Sequence, residues 1–195
     1  MRTKEKIIQA GTQCFASNGY KATTMSEIAS LVGIKKPSLY AHYQNKEALF
    51  LDVFNNEIEG YLQFVQSRID EKRGQSVKEQ LQYLFLIHSI NEDNEISTLF
   101  YYRFVNYPPA ELKESILEQY RKVDASLFSV LGDVWNEGKK RGEMDKELSN
   151  DHIYNTFFAL IDGLANEMSL YDYKQMKERS ELVWEVFWRG VRAPS

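Results

Sequence analysis

The fold of this chain is decided by residues 23–50, which read TTMSEIASLVGIKKPSLYAHYQNKEALF. Thr24 and Glu27 predict a capping box, because each side chain can satisfy the free backbone N–H of the other. The helix that they start ends at Gly33, and Pro37 fits the first turn of the next helix, where a missing N–H costs nothing. Two short helices joined by a tight turn are typical of a helix-turn-helix, whose second helix lies in the DNA major groove.

The second helix of this pair has an inner and an outer side. Leu39 and Tyr43 stand four apart and are predicted to face inward with Ile34, Ile28 and Leu31. The outward residues can bond base edges or phosphates, and they are Lys36, Ser38, Tyr40, Ala41 and His42. Taken singly, each could be an ordinary solvated side chain, so the prediction of a DNA-binding face depends on their combination.

The charge of the chain is unevenly distributed. The formal net charge is −4 over 195 residues, but residues 1–48 carry seven Lys or Arg against three Glu. The remainder is correspondingly acidic. This asymmetry predicts a polyanionic partner for the amino-terminal part alone.

Helical periodicity covers nearly the whole chain, and no alternating strand pattern is found. The sequence therefore predicts an all-α fold of about nine helices. Besides the helix-turn-helix, the predicted helices cover 3–17, 45–73, 76–91, 94–106, 110–141, 150–171 and 175–191. Asn18-Gly19 is expected to end the first of them, and Pro108-Pro109 to stop one helix and restart another. Ser76, Asn94 and Asn150 are the expected N-caps.

Several classes of protein are not supported by the composition. No apolar run approaches the ~20 residues of a membrane span, and the single Cys14 cannot form an internal disulfide, which suits a reducing cytoplasm. Cys14 could be a redox sensor, but it shares a helical stripe with Ile7, Gly11 and Phe15, which favours a buried position. Neither metal-ligand spacing among the three His nor a Gly-rich phosphate loop is present. We therefore predict no catalytic residue, metal site or cofactor.

Residues 23–50 strongly resemble the DNA-binding signature of the TetR family of bacterial transcription regulators, and the resemblance extends over roughly residues 5–52. Leu39-Tyr40, His42-Tyr43 and the run from Asn45 to Leu49 match closely. For some residues the resemblance implies contacts with bases, and for Tyr40 and Lys46 it implies contacts with phosphates. It also places the start of the first helix of the pair near the DNA backbone. The implied DNA-binding residues are Thr24, Ser26, Lys35, Lys36, Pro37, Ser38, Tyr40, Ala41, His42 and Lys46. Lys35 departs from the pattern, since many members have a capping Ser or Thr there.

The same resemblance implies a division into a DNA-binding domain, residues 1–46, and a ligand-binding and dimerisation domain, residues 47–195. Its implied partners are a double-stranded DNA operator, a small-molecule effector and a second copy of the chain. On the predicted helix over 150–171 the apolar residues form one wide stripe, and on the predicted helix over 175–191 they occupy two sides, which favours a subunit interface. A deeply buried helix within one chain is the alternative. The predicted interface residues are Phe157, Ile161, Leu164, Met168, Trp184, Phe187 and Trp188.

An effector pocket is predicted from the aromatic residues of the second domain and a few polar groups among them. Simple core packing is the alternative for each. The candidate residues are Tyr83, His88, Phe100, Tyr101, Arg103, Phe104, Tyr107, Phe128, Tyr154 and Phe158.

These observations favour a homodimeric repressor released from DNA by a small hydrophobic or aromatic effector. Two other classes remain open at this point. One is a helical enzyme with an incidental DNA-binding segment, for which no supporting constellation is found. The other is a constitutive DNA-binding or architectural protein that senses no ligand.

Overall fold

The computed structural model describes residues 2–90, 95–167 and 170–194. Over those ranges the chain forms nine α-helices and one 3-10 turn, and an isolated bridge between Met144 and Arg192 is its only β pairing. The predicted all-α fold is confirmed. The helices are α1 (Thr3–Ala22), α2 (Met25–Val32), α3 (Lys36–His42), α4 (Lys46–Glu71), α5 (Val77–Ile90), α6 (Glu95–Asn106), α7 (Lys113–Arg141), α8 (Asn150–Glu167) and α9 (Tyr173–Val191). The 3-10 turn (Ala110–Leu112) follows the predicted Pro108-Pro109 stop.

The predicted caps explain where several helices begin. The backbone N–H of Glu27 donates to Thr24 Oγ1 (3.2 Å), and Glu27 Oε2 accepts from the backbone N–H of Thr24 (2.8 Å). Ser76 and Glu79 form the same reciprocal pair before α5. The capping-box prediction for α2 and the cap prediction for Ser76 are confirmed. Asn94, the predicted cap of α6, lies outside the described residues.

Two predicted helix ends need correction. Gly19 has the expected positive φ of 80°, but α1 kinks there and continues for one more turn to Ala22. The cap of α8 is Ser149, whose Oγ accepts from the backbone N–H of His152 (3.3 Å). Asn150 instead accepts a hydrogen bond from Lys139 (2.9 Å), because its side chain turns toward α7.

By its internal contacts the chain divides into two packing units. Unit 1 comprises residues 1–62 and 93–124, and unit 2 comprises residues 63–92 and 125–195. This division differs from the predicted functional division between residues 46 and 47, because α1 packs against α6 as well as against α2. The functional division stays a prediction.

Unit 1 has an aromatic core. The rings of Phe50 and Phe104 lie 4.8 Å apart between centroids, and Phe100 lies 4.7 Å from Phe104. Cys14, for which the sequence favoured a buried position, is partly buried and packs against this core. Leu31, predicted to face inward, is 53% exposed. The short α2 turns only Met25, Ile28 and Ala29 fully into the core.

Unit 2 is built from α5, α8 and α9, which pack on one another, together with the last part of α4 and the second part of α7. Phe85 of α5 lies at the centre of an aromatic cluster, 5.6 Å from the rings of both Phe157 and Trp184 and 6.3 Å from Phe187. Burial of these large rings holds the three helices together.

Within residues 2–90, 95–167 and 170–194, no helix combines the length and the apolar character that crossing a bilayer requires. The same ranges contain no group of three or more His, Cys, Asp or Glu side chains that could hold a metal ion.

Candidate nucleic-acid interface

The turn between α2 and α3 depends on a left-handed residue. Gly33 has φ 78° and ψ 29°, a conformation that costs glycine little, and its N–H donates to the carbonyl of Ser30 (3.1 Å). The N–H of Ile34 donates to Ala29 O (3.0 Å), which completes the end of α2. Lys35 then precedes α3 and makes no side-chain cap, because a lysine side chain has no acceptor for a backbone N–H. Its backbone carbonyl accepts from the first turn of α3 instead.

α3 divides as the sequence predicts. Leu39 is completely buried and Tyr43 nearly so, whereas Tyr40 is 44% exposed. The Lys36 ammonium lies 5.9 Å from the centroid of the Tyr40 ring. All the predicted DNA-binding residues except Lys46 are exposed, namely Thr24, Ser26, Lys35, Lys36, Pro37, Ser38, Tyr40, Ala41 and His42. Their side chains are therefore available to a groove or a phosphate.

A polar network fixes the carboxyl end of α3. The hydroxyl of Tyr43 donates to Asp52 Oδ2 of α4 (2.6 Å), and Lys4 of α1 forms an ion pair with the same oxygen (2.8 Å). Partial burial opposes ionisation of Asp52, but the bonds from Lys4 and Tyr43 outweigh it and lower the Asp52 pKa. Burial and the bond to Asp52 raise the pKa of Tyr43. Sequence reasoning missed Lys4 and Asp52. The only available signal was that a buried tyrosine hydroxyl requires a partner.

A second set of bonds fixes the connection between α1 and α2, which we call the α1–α2 corner (residues 19–24). Thr23 is completely buried, and its hydroxyl donates to the carbonyl of Gly19 (2.8 Å). The Lys46 ammonium donates to the carbonyl oxygens of Tyr20 (2.8 Å), Thr23 (3.0 Å) and Lys21 (3.3 Å). It also lies 4.5 Å from the centroid of the Tyr20 ring. Lys46 is thus partly buried at a position where the resemblance implies a phosphate contact.

The predicted effector residues of unit 1 have different environments. Phe100 and Phe104 are core residues, whereas Tyr107 is 69% exposed. Arg103 donates from Nη1 to the carbonyl of Ser17 on α1 (3.2 Å). Tyr101 lies against Tyr61, with ring centroids 5.9 Å apart. Arg103, Phe104 and Tyr107 share a shallow cleft with residues 18–22 and Pro109.

The other five predicted effector residues lie in unit 2. His88 donates from Nδ1 to the carbonyl of Leu84 (2.7 Å). The residue keeps some exposed surface, but its Nε2 atom is buried, and this burial lowers the His88 pKa from 6.5 to about 4. Tyr83 lies within 3.3 Å of a Glu71 carboxylate oxygen. Phe128, Tyr154 and Phe158 form a run of ring contacts at 5.2 and 4.7 Å.

The predicted subunit-interface residues are mostly interior. Five of them are between 1% and 5% exposed within the single chain, namely Phe157, Ile161, Leu164, Trp184 and Phe187. Of these, Phe187 also lines the groove described in the next paragraph. For Phe157, Ile161, Leu164 and Trp184 this burial favours the alternative of packing within unit 2, and the interface role of all five residues stays a prediction. Trp188 is partly buried, 5.8 Å from the Trp184 ring. Met168 lies outside the described residues.

The exposed apolar surface of α8 and α9 lies elsewhere. Leu182 and Val186 are 65% and 70% exposed. They contribute to a groove of about 610 Å³, the α8–α9 groove, which is lined by Leu148, His152, Ile153, Thr156, Leu160, Leu182, Val183, Val186, Phe187, Gly190 and Val191. At Gly190 no atom beyond its own stretch of helix lies within 4 Å of the position that a Cβ would occupy, so another backbone could approach closely.

The chain is similar to known DNA-binding regulators, in agreement with the helix-turn-helix formed by α2 and α3. The family model described as "Bacterial regulatory proteins, tetR family" matches residues 7–53. The HTH-type transcriptional regulator QacR of Staphylococcus aureus is 31% identical over 150 residues, which cover 73% of this chain and 74% of the relative. The fatty acid metabolism regulator protein of Bacillus subtilis is 24% identical over 192 residues, covering 95% and 94%. These relatives are regulators rather than enzymes.

A similar fold is found among solved structures. The transcriptional regulator FadR of Bacillus subtilis, solved in complex with stearoyl-CoA, superimposes with a TM-score of 0.73 at 22% identity. The match covers 95% of this chain and 98% of the other. At this level of identity the likeness concerns the fold.

Proposed function

The chain belongs to the tetR family of bacterial regulatory proteins and is a transcriptional regulator, and we propose that it is a homodimeric repressor released from a palindromic operator by a small hydrophobic effector. The observation that carries the proposal is the outer face of α3. It is exposed and polar and follows a glycine turn, and a buried Leu39 and Tyr43 anchor its other side. Such a helix fits the DNA major groove.

We propose that residues 1–46 form the DNA-binding domain and residues 47–195 the effector and dimerisation domain. Lys36 can donate to guanine O6 and N7, and Ser38 and His42 can reach neighbouring base edges. Tyr40, Thr24 and Ser26 are suited to phosphate oxygens, which fix the register of the protein on DNA. The excess of basic residues in 1–48 supplies the attraction to the backbone.

The α8–α9 groove is our proposed dimer interface, and its proposed occupant is the same groove of a second copy. A twofold axis brings one patch against itself, so Val186 and Leu182 of both chains would be covered at once. Two copies then present two α3 helices, which must lie about 34–36 Å apart, or a multiple of this, to enter successive major grooves. This requirement is the reason for proposing a palindromic operator.

For the effector, the abundance of aromatic residues in residues 47–195 supports a hydrophobic or aromatic molecule. A long-chain acyl-CoA is the first probe, since a relative is named for fatty acid metabolism and a protein of similar fold was solved with stearoyl-CoA. A tenfold loss of DNA affinity requires about 1.4 kcal/mol of coupling, and by reciprocity DNA must weaken effector binding by the same factor.

The DNA-binding proposal is tested by selecting operators from random duplexes and measuring affinity against salt. If the dimer neutralises about six to eight phosphates, the log–log slope should be roughly −5 to −7.

Lys36→Ala should cost about 1–3 kcal/mol and relax preference at one or two base pairs. Lys174→Ala on α9 is the matched control and should change neither quantity. A slope near zero, or selection of no sequence, would contradict the proposal.

The effector proposal is tested by titrating stearoyl-CoA, and separately a set of aromatic compounds, against the free protein and the operator complex. A true effector should bind the free protein more tightly, by the factor with which it weakens DNA binding. A ligand that binds both forms equally well does not switch this protein. If none of these probes changes operator affinity, the constitutive DNA-binding alternative is favoured.

A further inference from the structure

We propose that Lys46 acts as a positioning residue that holds the α1–α2 corner in place for DNA binding, and that it is not a phosphate ligand. This inference rests on the proposed DNA-binding function. It departs from the role that the family resemblance implies for this position. It follows from where the Lys46 ammonium lies and from what it already binds.

All the protons of the ammonium have acceptors within the chain. A lysine ammonium carries three N–H donors and no acceptor. The three carbonyl oxygens that lie within hydrogen-bonding distance belong to Tyr20, Lys21 and Thr23. The Tyr20 ring covers a further side at 4.5 Å. A phosphate oxygen could therefore bind Lys46 only by displacing a bond to the corner.

The position of these carbonyls makes the bonds favourable. They lie at and just beyond the carboxyl end of α1, where unsatisfied carbonyls carry negative partial charge and a cation is stabilising. Gly19 interrupts the regular helix with φ 80°. The turn that follows it is held by the bonds from Thr23 to the Gly19 carbonyl and, from α4, by Lys46.

The corner controls the start of α2. Thr23, whose carbonyl Lys46 binds, directly precedes Thr24, the N-cap of α2. Lys46 itself is the first residue of α4 and follows Asn45, whose Oδ1 accepts from the backbone N–H of Ala48 (2.8 Å). Lys46 thus ties the beginning of α4 to the beginning of α2. Since α2 braces α3, loss of this tie should let the reading helix shift.

The two roles predict different behaviour. A phosphate ligand acts only in the complex, and removing it should reduce the steepness of the salt dependence by about 1. A positioning residue acts in the free protein, and removing it should weaken DNA binding equally at every salt concentration. The free protein and the salt slope therefore separate the alternatives.

The experiment compares Lys46→Met and Lys46→Arg with Lys174→Met, which removes an equal charge from an exposed side chain of α9 and should change neither quantity. Amide hydrogen exchange is measured for residues 20–24 in the free protein, and operator affinity is measured across a salt series. Lys46→Met should speed exchange in the corner about tenfold, since hydrogen bonds to a charged group are lost. It should weaken operator binding about tenfold with an unchanged slope. Lys46→Arg, which keeps the charge and the donors, should recover most of both.

Three results would overturn the inference. In the first, Lys46→Met leaves amide hydrogen exchange in the α1–α2 corner unchanged but reduces the salt slope of operator binding by about 1. This is the behaviour of a phosphate ligand. The second is faster exchange with unchanged operator affinity, which is a purely local stabilising role. The third is a failure of Lys46→Arg, shown to be folded by circular dichroism, to recover either quantity. If the wild-type protein binds no duplex, the proposed function fails, and the exchange data alone still decide whether Lys46 holds the corner.

Discussion

The outer face of α3 and the side of α9 that borders the α8–α9 groove have opposite chemistry. α3 exposes Lys36, Ser38 and Tyr40, whereas α9 exposes Leu182 and Val186. A polar, basic face is stable in water and is complementary to a polyanion. An exposed apolar face marks a surface that another apolar surface covers. The partner of each helix is therefore indicated by the side chains that the helix leaves exposed, and not by how apolar the helix is as a whole.

The two helices are also held in place by different forces. α3 has seven residues and buries little, so its carboxyl end depends on the directional bond from Tyr43 to Asp52. α9 has nineteen residues and is held by burial of Trp184 and Phe187 against Phe85. Polar substitutions should therefore affect the α3 region, and large-to-small substitutions should affect unit 2.

The largest expected effect is that of Trp184→Ala. Because Trp184 is interior, its truncation should lower the free energy of unfolding by about 3–5 kcal/mol. Denaturant unfolding at one fixed protein concentration measures this, with the exposed Leu182→Ala as control. A variant of normal stability that only dimerises poorly would return Trp184 to the subunit interface.

Val186→Glu tests the other side of the same helix. It places a carboxylate in the proposed interface twice, once per chain, and should raise the dimer dissociation constant by about 100-fold or more. Sedimentation across a concentration series measures this. Lys177→Glu, on α9 but outside the groove, should leave the dimer intact. If Val186→Glu stays dimeric, the α8–α9 groove is not the interface.

The two units should also respond to acid over different ranges. Burial keeps the pKa of His88 at about 4, whereas the unfolded chain protonates this residue near 6.5. Between these values the unfolded state binds more protons, so stability should fall as pH is lowered, by about 1.4 kcal/mol from pH 7.5 to 5.5. Unfolding curves at the two pH values measure this loss. His88→Phe should remove this part of the pH dependence, and an unchanged dependence would contradict the assignment.

Asp52 in unit 1 should give the smallest effect. Its lowered pKa means that its stabilising contribution is present above the unfolded value of about 3.9 and is lost as pH falls further. Asp52→Asn should cost about 1 kcal/mol, because the site is partly exposed to solvent. Operator affinity should fall with it, since α3 loses its anchor. Glu59→Gln, an exposed carboxylate on the same helix, is the control. Equal effects of both variants would remove the special role of Asp52.

Local signals predicted the helix-turn-helix well. Thr24, Glu27 and Gly33 act on backbone groups within four residues, so their consequences are visible in the sequence. The same holds for Pro37 in the first turn of α3. The effector residues were less predictable, because an aromatic side chain suits a core and a pocket equally. Five of the ten lie in each packing unit.

The sequence by itself determined the family, the all-α fold and the outward face of α3, because capping, turn chemistry and helical period depend on neighbouring residues. Only the tertiary structure decided which apolar side of α9 is interior and that Lys46 faces the end of α1. Trp184 and Val186 are both apolar and stand two residues apart, yet one is buried and the other is 70% exposed. Helical period separates such residues into faces, but long-range packing alone selects the face that is buried.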